Sequence, residues 1–390
     1  MKRVALLMPH RESWIGGVNY FRNLLHAVFA LPDRQIDPLL LVREDTPDSV
    51  LDGFPAVHIV RSHAMGSSRP RSRLEKTLRK VLGPDHAKNR LLRQHDVAAV
   101  SHAGGLERPQ FLPTISWLAD FQHRHQPHFF SPAEVESRNR TYGGAVDHAS
   151  LILVSSQCAE RDLCAFFPAA TPKVRVLRFV SGLVSGAAEP PREQIAGRYG
   201  IKAPFFHLPN QFWVHKNHKA VLDALAILKA RGRPALVVST GATNDYRDPT
   251  HFSTIQDEIR LKGLGEHFLI LGVVPYPDLI ALMRHSIAVI NPSLFEGWST
   301  TVEEAKSLGK QVILSDIPVH REQNPERAQY FAPHDPEGLA DLIDRAQCDH
   351  SAETETRFQG FAQERLRDRF AAFGREYVTI ALEAANRPRT

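Results

Sequence analysis

Two glutamates with seven residues between them, Glu296 and Glu304, stand in the string Asn291-Pro-Ser-Leu-Phe-Glu296-Gly-Trp-Ser-Thr-Thr-Val-Glu-Glu304-Ala-Lys-Ser-Leu-Gly309. The string reads as strand, turn and helix. An apolar run ends at Asn291–Pro292, Glu296 sits in the bend beside Gly297, and Ser299 or Thr300 can cap the helix that follows. Thr300 with Glu303 fits a capping box. In open α/β sheets the carboxyl end of a parallel strand is where ligands bind. Free amides at a helix N-terminus, together with the helix dipole, favour a phosphate there. Gly297 lets the backbone come close to a ligand. The dipole alone also favours a glutamate in a first helical turn, and Glu303 is read as such a cap.

Such a bend needs strands and helices in alternation to hold it, and the periodicity provides them. In the first half, apolar runs predict strands at Val4–Met8, Pro38–Val42, Val57–Val60, Val97–Ser101, Thr114–Leu118, Leu151–Ser155 and Val174–Phe179. The clearest helix there is Val18–Phe29, with Phe21, Leu24, Leu25 and Val28 on one face. The series restarts after the Gly/Pro/Ser-rich stretch Ser181–Arg192. It then runs through strand Phe205–Leu208, helix Asn217–Ala230, strand Ala235–Thr240, helix His251–Lys262 and strand Phe268–Gly272. Helix Pro277–Arg284, strand Ile287–Asn291, helix Thr300–Leu308, strand Gln311–Ser315 and helix Pro336–Ala346 complete it. Strands separated by helices predict doubly wound parallel sheets. Two such α/β domains are expected, over 1–190 and 200–356, with a charged helical tail over 357–390.

Bulk properties exclude several classes. The chain has 390 residues, 43% hydrophobic and 23% charged, which is globular composition with room for two cores. Three cysteines, Cys158, Cys164 and Cys348, are too few and too scattered for a disulfide framework or a zinc cluster. The apolar run Val4–Met8 is too short for a signal peptide, and no stretch approaches the ~20 apolar residues that span a bilayer. The expectation is a soluble, cytoplasmic protein. The net charge of +5 is concentrated between Arg61 and Arg93 and calls for an anionic partner. There Leu74, Leu78 and Leu82 recur at helical spacing among Arg71, Arg73, Lys76 and Arg79. Two readings of Arg69–Arg93 stay open: a basic amphipathic helix against an anionic membrane, or a solvated helix packed on its own domain. Nucleic acid fits less well, since no aromatics interleave with the charges.

The string around Glu296 resembles the retaining glycosyltransferases of family 4. The likeness continues in Asn210-Gln-Phe-Trp-Val-His-Lys216-Asn217 and in Gly16-Gly17-Val18, and it covers essentially the whole chain. The resemblance implies the GT-B fold: two Rossmann-like domains facing a central cleft, the second binding a nucleotide sugar, the first an acceptor. The tail helix would cross back to the first domain. By the same resemblance Glu296 contacts hydroxyls of the donor sugar, Glu304 the ribose and Lys216 the diphosphate. Amides around Gly297, Trp298, Ser299, Thr300 and Thr301 would hold sugar and phosphate. Gln211, Gly241 and Val274 would complete the donor side, and Gly16 and Gly17 would face the diphosphate. The chemistry agrees, because the leaving nucleoside diphosphate gains charge that a lysine and a helix N-terminus stabilise. An ionised carboxylate also accepts two hydroxyl hydrogen bonds, which suits a diol. One departure stands out: many relatives carry an arginine five residues before the lysine, where this chain has Gln211.

For the acceptor, the stretch Ser116-Trp-Leu-Ala-Asp120-Phe-Gln-His123-Arg-His125-Gln-Pro-His128 follows a predicted strand. Relatives often have His-Asp where this chain has Ala119-Asp120. Asp120 and His123 are the candidates for orienting the acceptor hydroxyl or taking its proton, with His102 a lesser one. The histidine spacing fits no standard zinc site and the chain has no Asp-x-Asp pair, so neither metal nor cofactor is expected. The family likeness implies retention of configuration, with the leaving phosphate helping to take the proton. It leans to GDP-mannose as donor and to a glycan or lipid-linked acceptor in surface polysaccharide synthesis. The rivals are another GT-B enzyme, such as a nucleotide-sugar epimerase or a phosphorylase, and a silent sugar-nucleotide-binding scaffold.

Overall fold

The computed structural model describes residues 1–9, 15–65, 85–106, 110–182 and 189–388. The chain divides into two compact units. The first comprises Met1–Phe121, Pro132–Val180 and Arg369–Thr390, the second Gln122–Ser131 and Ser181–Asp368.

In the first unit the strands are β1 (Lys2–Leu7), β2 (Ile36–Arg43), β3 (His58–Ser62), β4 (Ala99–Ala103), β5 (Thr114–Trp117), β6 (Leu151–Val154) and β7 (Val174–Val176). They form one parallel sheet in the order β3-β2-β1-β4-β5-β6-β7. Helices α1 (Ile15–Phe29), α2 (His86–Gln94), α3 (Pro132–His148) and α4 (Gln157–Phe166) flank it. Leu39 to Val42 of β2 are buried without interruption, as a strand covered on both faces must be. In α1, Phe21, Leu24, Leu25 and Val28 are all fully buried.

The second unit repeats the plan with β8 (Phe206–Leu208), β9 (Val237–Thr240), β10 (Phe268–Gly272), β11 (Val289–Asn291), β12 (Val312–Ser315) and β13 (Ala328–Phe331). Their parallel order is β10-β9-β8-β11-β12-β13. Around it lie α5 (Arg192–Tyr199), α6 (His218–Ala230), α7 (His251–Leu261), α8 (Tyr276–His285), α9 (Thr300–Ser307), α10 (Pro318–Gln323) and α11 (Pro336–Asp349). One core gathers Val221, Leu225 and Leu228 of α6 with Phe206, Val237 and Ile343. Each such side chain contributes roughly 1.5–3 kcal/mol by leaving water. β8 and β11 are neighbours, and the chain leaves them in opposite directions, to β9 and to β12. That is the switch point of a doubly wound sheet, where the loops part and leave a crevice.

The last helix, α12 (Ala352–Ala385), begins in the second unit and ends in the first. There Phe373 and Tyr377 are buried, and Arg175 holds Glu383 through two hydrogen bonds of 2.8 and 2.6 Å. Gly374 permits close packing on α1, since a Cβ there would come 2.5 Å from the Ala27 carbonyl oxygen.

Candidate functional site

The site is built on the two strands at the switch point of the second unit. After β8 the chain makes the tight turn Val214–Lys216 and passes Asn217, whose φ of 56° is left-handed. Asparagine tolerates that conformation. Its Nδ2 also donates to the carbonyls of Pro292 and Pro333, at 3.2 and 2.9 Å. After β11 comes the bend that carries Glu296. Lys216 Nζ donates to Glu296 Oε1 at 2.6 Å, between side chains only 15% and 10% exposed. Burial pushes the Glu296 carboxyl up, but the Lys216 ammonium outweighs it, with weaker help from the Ser293 hydroxyl, and holds it below the usual range. Glu296 is therefore an anion at neutral pH.

A polar network fixes the bend. Ser293 Oγ lies 2.7 Å from Glu296 Oε1 and 2.7 Å from Asn291 Oδ1. Asn210 Nδ2 donates to Asn291 Oδ1 at 3.1 Å, and Asn291 Nδ2 donates to Ser299 Oγ at 2.8 Å. Behind it, Ser315 Oγ donates to the Ser293 carbonyl at 2.5 Å, and His320 Nδ1 lies 2.9 Å from the Ser315 carbonyl. Burial keeps His320 neutral even with the Glu296 charge nearby.

Ser299 is the cap of α9: its Oγ accepts from the Val302 amide at 3.4 Å. The expected capping box of Thr300 with Glu303 does not form. Gln323, at the end of α10, takes over instead. Its Oε1 accepts from the Ser299 amide at 3.2 Å, and its Nε2 donates to the Ser299 carbonyl at 3.0 Å and to Glu303 Oε1 at 3.1 Å. The Ser299 amide is thus engaged within the protein. Glu303, 1% exposed, is also 3.2 Å from Lys306 Nζ. Thr300 is half-buried, and Thr301 Oγ1 donates to the Pro209 carbonyl at 3.3 Å. Gly297 and Trp298 lie half-buried in the same bend.

Glu304 follows one turn into α9 and is 7% exposed. Burial pushes its carboxyl up to about 7, while the Tyr276 hydroxyl, donating to Oε1 at 3.1 Å, draws it down. Glu304 bonds to Tyr276 rather than to the Lys216–Glu296 pair. Gln211 sits half-buried just beyond β8. Gly241, at φ 142°, lets the loop after β9 lie against it, since a Cβ there would come 2.5 Å from the Asn210 carbonyl oxygen and 2.8 Å from Gln211 Cα. Val274 packs on the cluster of Ile195, Phe205 and Leu282.

The remaining expected residues lie in the first unit or on the segment Gln122–Ser131. Gly16 and Gly17 are not a free turn; they lie in the first turn of α1, and a Cβ on Gly16 would meet nothing. Asp120 belongs to the first unit, where its carbonyl accepts from Tyr142 OH at 2.9 Å. His123 belongs to the second unit and is fully buried. The segment Gln122–Ser131 packs with the bend after β11, His125 lying 5.4 Å from the Phe295 ring. His102, at φ 58° on an irregular stretch of β4, is enclosed between Tyr20 OH and Ser101 Oγ at 2.8 Å each. Burial drives its pKa down to about 3, so it is a neutral core histidine. Of the basic segment, 66–84 lies outside the described residues, while Lys88, Arg90 and Arg93 lie on α2. Among the described residues no cluster of His, Cys, Asp and Glu could hold a metal ion. No helix among them is long and apolar enough to cross a membrane.

Residues 196–365, within the second unit, match the family model for glycosyl transferases group 1. The two parallel sheets with flanking helices match GT-B glycosyltransferase structures. HepE of Anabaena, solved with UDP and glucose, aligns with a TM-score of 0.70 at 16% identity, over 98% of this chain and 100% of its own. A glycosyltransferase from Rickettsia africae ESF-5 aligns with a TM-score of 0.67 at 15% identity, over 99% of both chains. WaaG, a glycosyltransferase involved in lipopolysaccharide biosynthesis, aligns with a TM-score of 0.64 at 14% identity, over 97% of this chain and 99% of its own. Comparison with curated protein sequences returns no match. At these identities the likeness speaks for the fold.

Proposed function

We propose that this protein is a retaining glycosyltransferase that moves a hexosyl group from a nucleoside-diphosphate sugar to a glycan or lipid-linked acceptor. The observation that carries the reading is the buried Lys216–Glu296 pair at the switch point, with Glu304 one turn into the adjoining helix. Lys216 leaves Glu296 to meet the diphosphate of an arriving donor, and Glu296 turns to the hydroxyls of its sugar. Glu304 receives the ribose diol. The negative charge that builds on the leaving diphosphate is met by Lys216 and the start of α9, so transfer needs no divalent cation and persists in chelator. Retention follows if the leaving phosphate oxygen takes the acceptor's proton on the same face.

The preferred donor is GDP-mannose and the setting surface polysaccharide synthesis, in the cytoplasm at the inner face of the membrane. Lys88, Arg90, Arg93 and the basic stretch before them would meet anionic lipid. The HepE structure holds UDP and glucose, which makes UDP-glucose the main competitor. A thermal-shift screen of GDP- and UDP-sugars discriminates: stabilisation by GDP-mannose supports the preferred donor, and stabilisation by UDP-glucose alone overturns it. Glu296→Ala should lower transfer by about 100- to 1000-fold, the loss typical of one transition-state contact, with an unchanged circular dichroism spectrum. Undiminished transfer by this variant would sink the assignment.

A further inference from the structure

The turn that presents Lys216 is gripped from one side by the loop after β9. Asp245 has a fully enclosed side chain. Its Oδ2 accepts from the Val214 amide at 3.2 Å, and its Oδ1 accepts from the Arg247 amide at 3.1 Å and from Arg247 Nε at 2.9 Å. Arg247, itself 7% exposed, reaches further along the turn. Its Nη2 lies 3.3 Å from His215 Nδ1, its guanidinium carbon is 5.1 Å from the Trp213 ring centre, and its Nη1 donates to Gln122 Oε1 at 3.3 Å. The three residues before Lys216 therefore each touch this ion pair, and the residue after it, Asn217, is tied to Pro292 and Pro333.

An enclosed ion pair is a weak source of net stability, because desolvation of both charges offsets their attraction. What this pair does hold is one geometry of one turn. We propose that Asp245 and Arg247 are positioning residues for Lys216, fixing the turn from which its ammonium reaches the diphosphate of the donor. This rests on the assignment of Lys216 to that diphosphate. Placement matters here because a misplacement of about 1 Å can forfeit two orders of magnitude in rate. With neutral Gln211 earlier in the same loop, the placing of Lys216 matters the more.

The test is calorimetric titration of GDP, GMP, UDP and UMP into the wild type, Lys216→Met, Asp245→Asn, Val214→Pro and the double variant Asp245→Asn/Lys216→Met. Val214→Pro deletes only the amide that Asp245 accepts, and Trp213 before it is already extended at φ −94°, ψ 145°, as a residue preceding proline should be. Each single variant should weaken the nucleoside diphosphate about tenfold, the worth of one charge-assisted hydrogen bond, and leave the monophosphate within about twofold. The double variant should bind no more weakly than Lys216→Met. Arg247→Lys, which keeps the charge but loses the fork, should behave like Asp245→Asn. The proposal falls if Asp245→Asn and Val214→Pro keep the wild-type preference for the diphosphate, or weaken both nucleotides alike. It falls also if the two losses multiply in the double variant. A different pattern, in which Lys216→Met keeps the diphosphate preference or the wild type binds none of the four nucleotides, overturns the assignment of Lys216 and the clamp with it.

Discussion

Glu296 and Glu304 are the same residue type on one short stretch, yet their surroundings drive them apart. Lys216, 2.6 Å away, keeps Glu296 ionised, whereas Glu304 has only a tyrosine hydroxyl for company and burial raises its pKa to about 7. A diol that donates two hydrogen bonds prefers the ionised carboxylate, so nucleotide binding should expel a proton from Glu304 near pH 6.5. Affinity should then rise with pH through about 7 and level off above it. Titrations in buffers of differing ionisation enthalpy would register the released proton. Glu304→Gln should bind more weakly and with no step near pH 7; a step that survives this substitution would assign it to another group.

The start of α9 is where local rules and tertiary packing part company. A capping box joins residues three apart and is visible in the sequence, but here Glu303 turns inward and Gln323 brackets Ser299 through both its amide and its carbonyl. A buried side-chain amide used like a neighbouring strand leaves no periodic mark. Gln323→Leu puts an apolar side chain of similar length there, leaves the Ser299 amide without its partner and leaves the Ser299 carbonyl with only the Glu303 amide. Urea unfolding should show a loss of about 1–3 kcal/mol, the cost of stranding buried polar groups. Donor affinity should fall with it, since the amides of Thr300 and Thr301 would no longer be held in register. Unfolding at the wild-type midpoint would show that the clamp is idle.

Taken as a molecule, the protein encloses histidines in both units. His102, His207 and His218 are fully buried and each is depressed to about 3. In the unfolded chain they titrate near 6.5, so below that pH the unfolded state binds three protons that the native state refuses. Glu304 acts in the opposite sense, being protonated in the native state up to about 7 while the unfolded carboxyl ionises above 4.5. Between pH 6 and 4.5 these four groups leave the unfolded state about two protons ahead, a loss of roughly 3 kcal/mol of stability per pH unit of acidification. Chemical denaturation at a series of pH values measures the total slope, to which His215 and His320, also lowered by burial, add in the same sense. His207→Asn, which removes one of the refused protons, should reduce it by about 1.4 kcal/mol per pH unit; a flat profile would count against the buried neutral imidazoles.

What could be read from the residue order was whatever depends on neighbours within a turn or a strand. Leu39 to Val42, the buried face of α1 and the restart of the strand–helix series past residue 200 are of that kind, and so is the bend that holds Glu296. Elements without a strong apolar period escaped: α3 buries only Tyr142, Ala145 and Val146, α10 is six residues long, and β13 is half-exposed over most of its length. Glycines 16 and 17 looked like a turn because backbone freedom permits one, but the structure continues them as helix. Only the folded chain could seat Lys216 against Glu296, which lie 80 residues apart, because the order of strands in a sheet is set by packing between distant segments. The same holds for Asp245 beneath the lysine turn, for Gln323 beneath α9, and for the burial of His123. Hydrogen bonds across long stretches of chain follow from topology, and topology is decided by which apolar faces can cover one another.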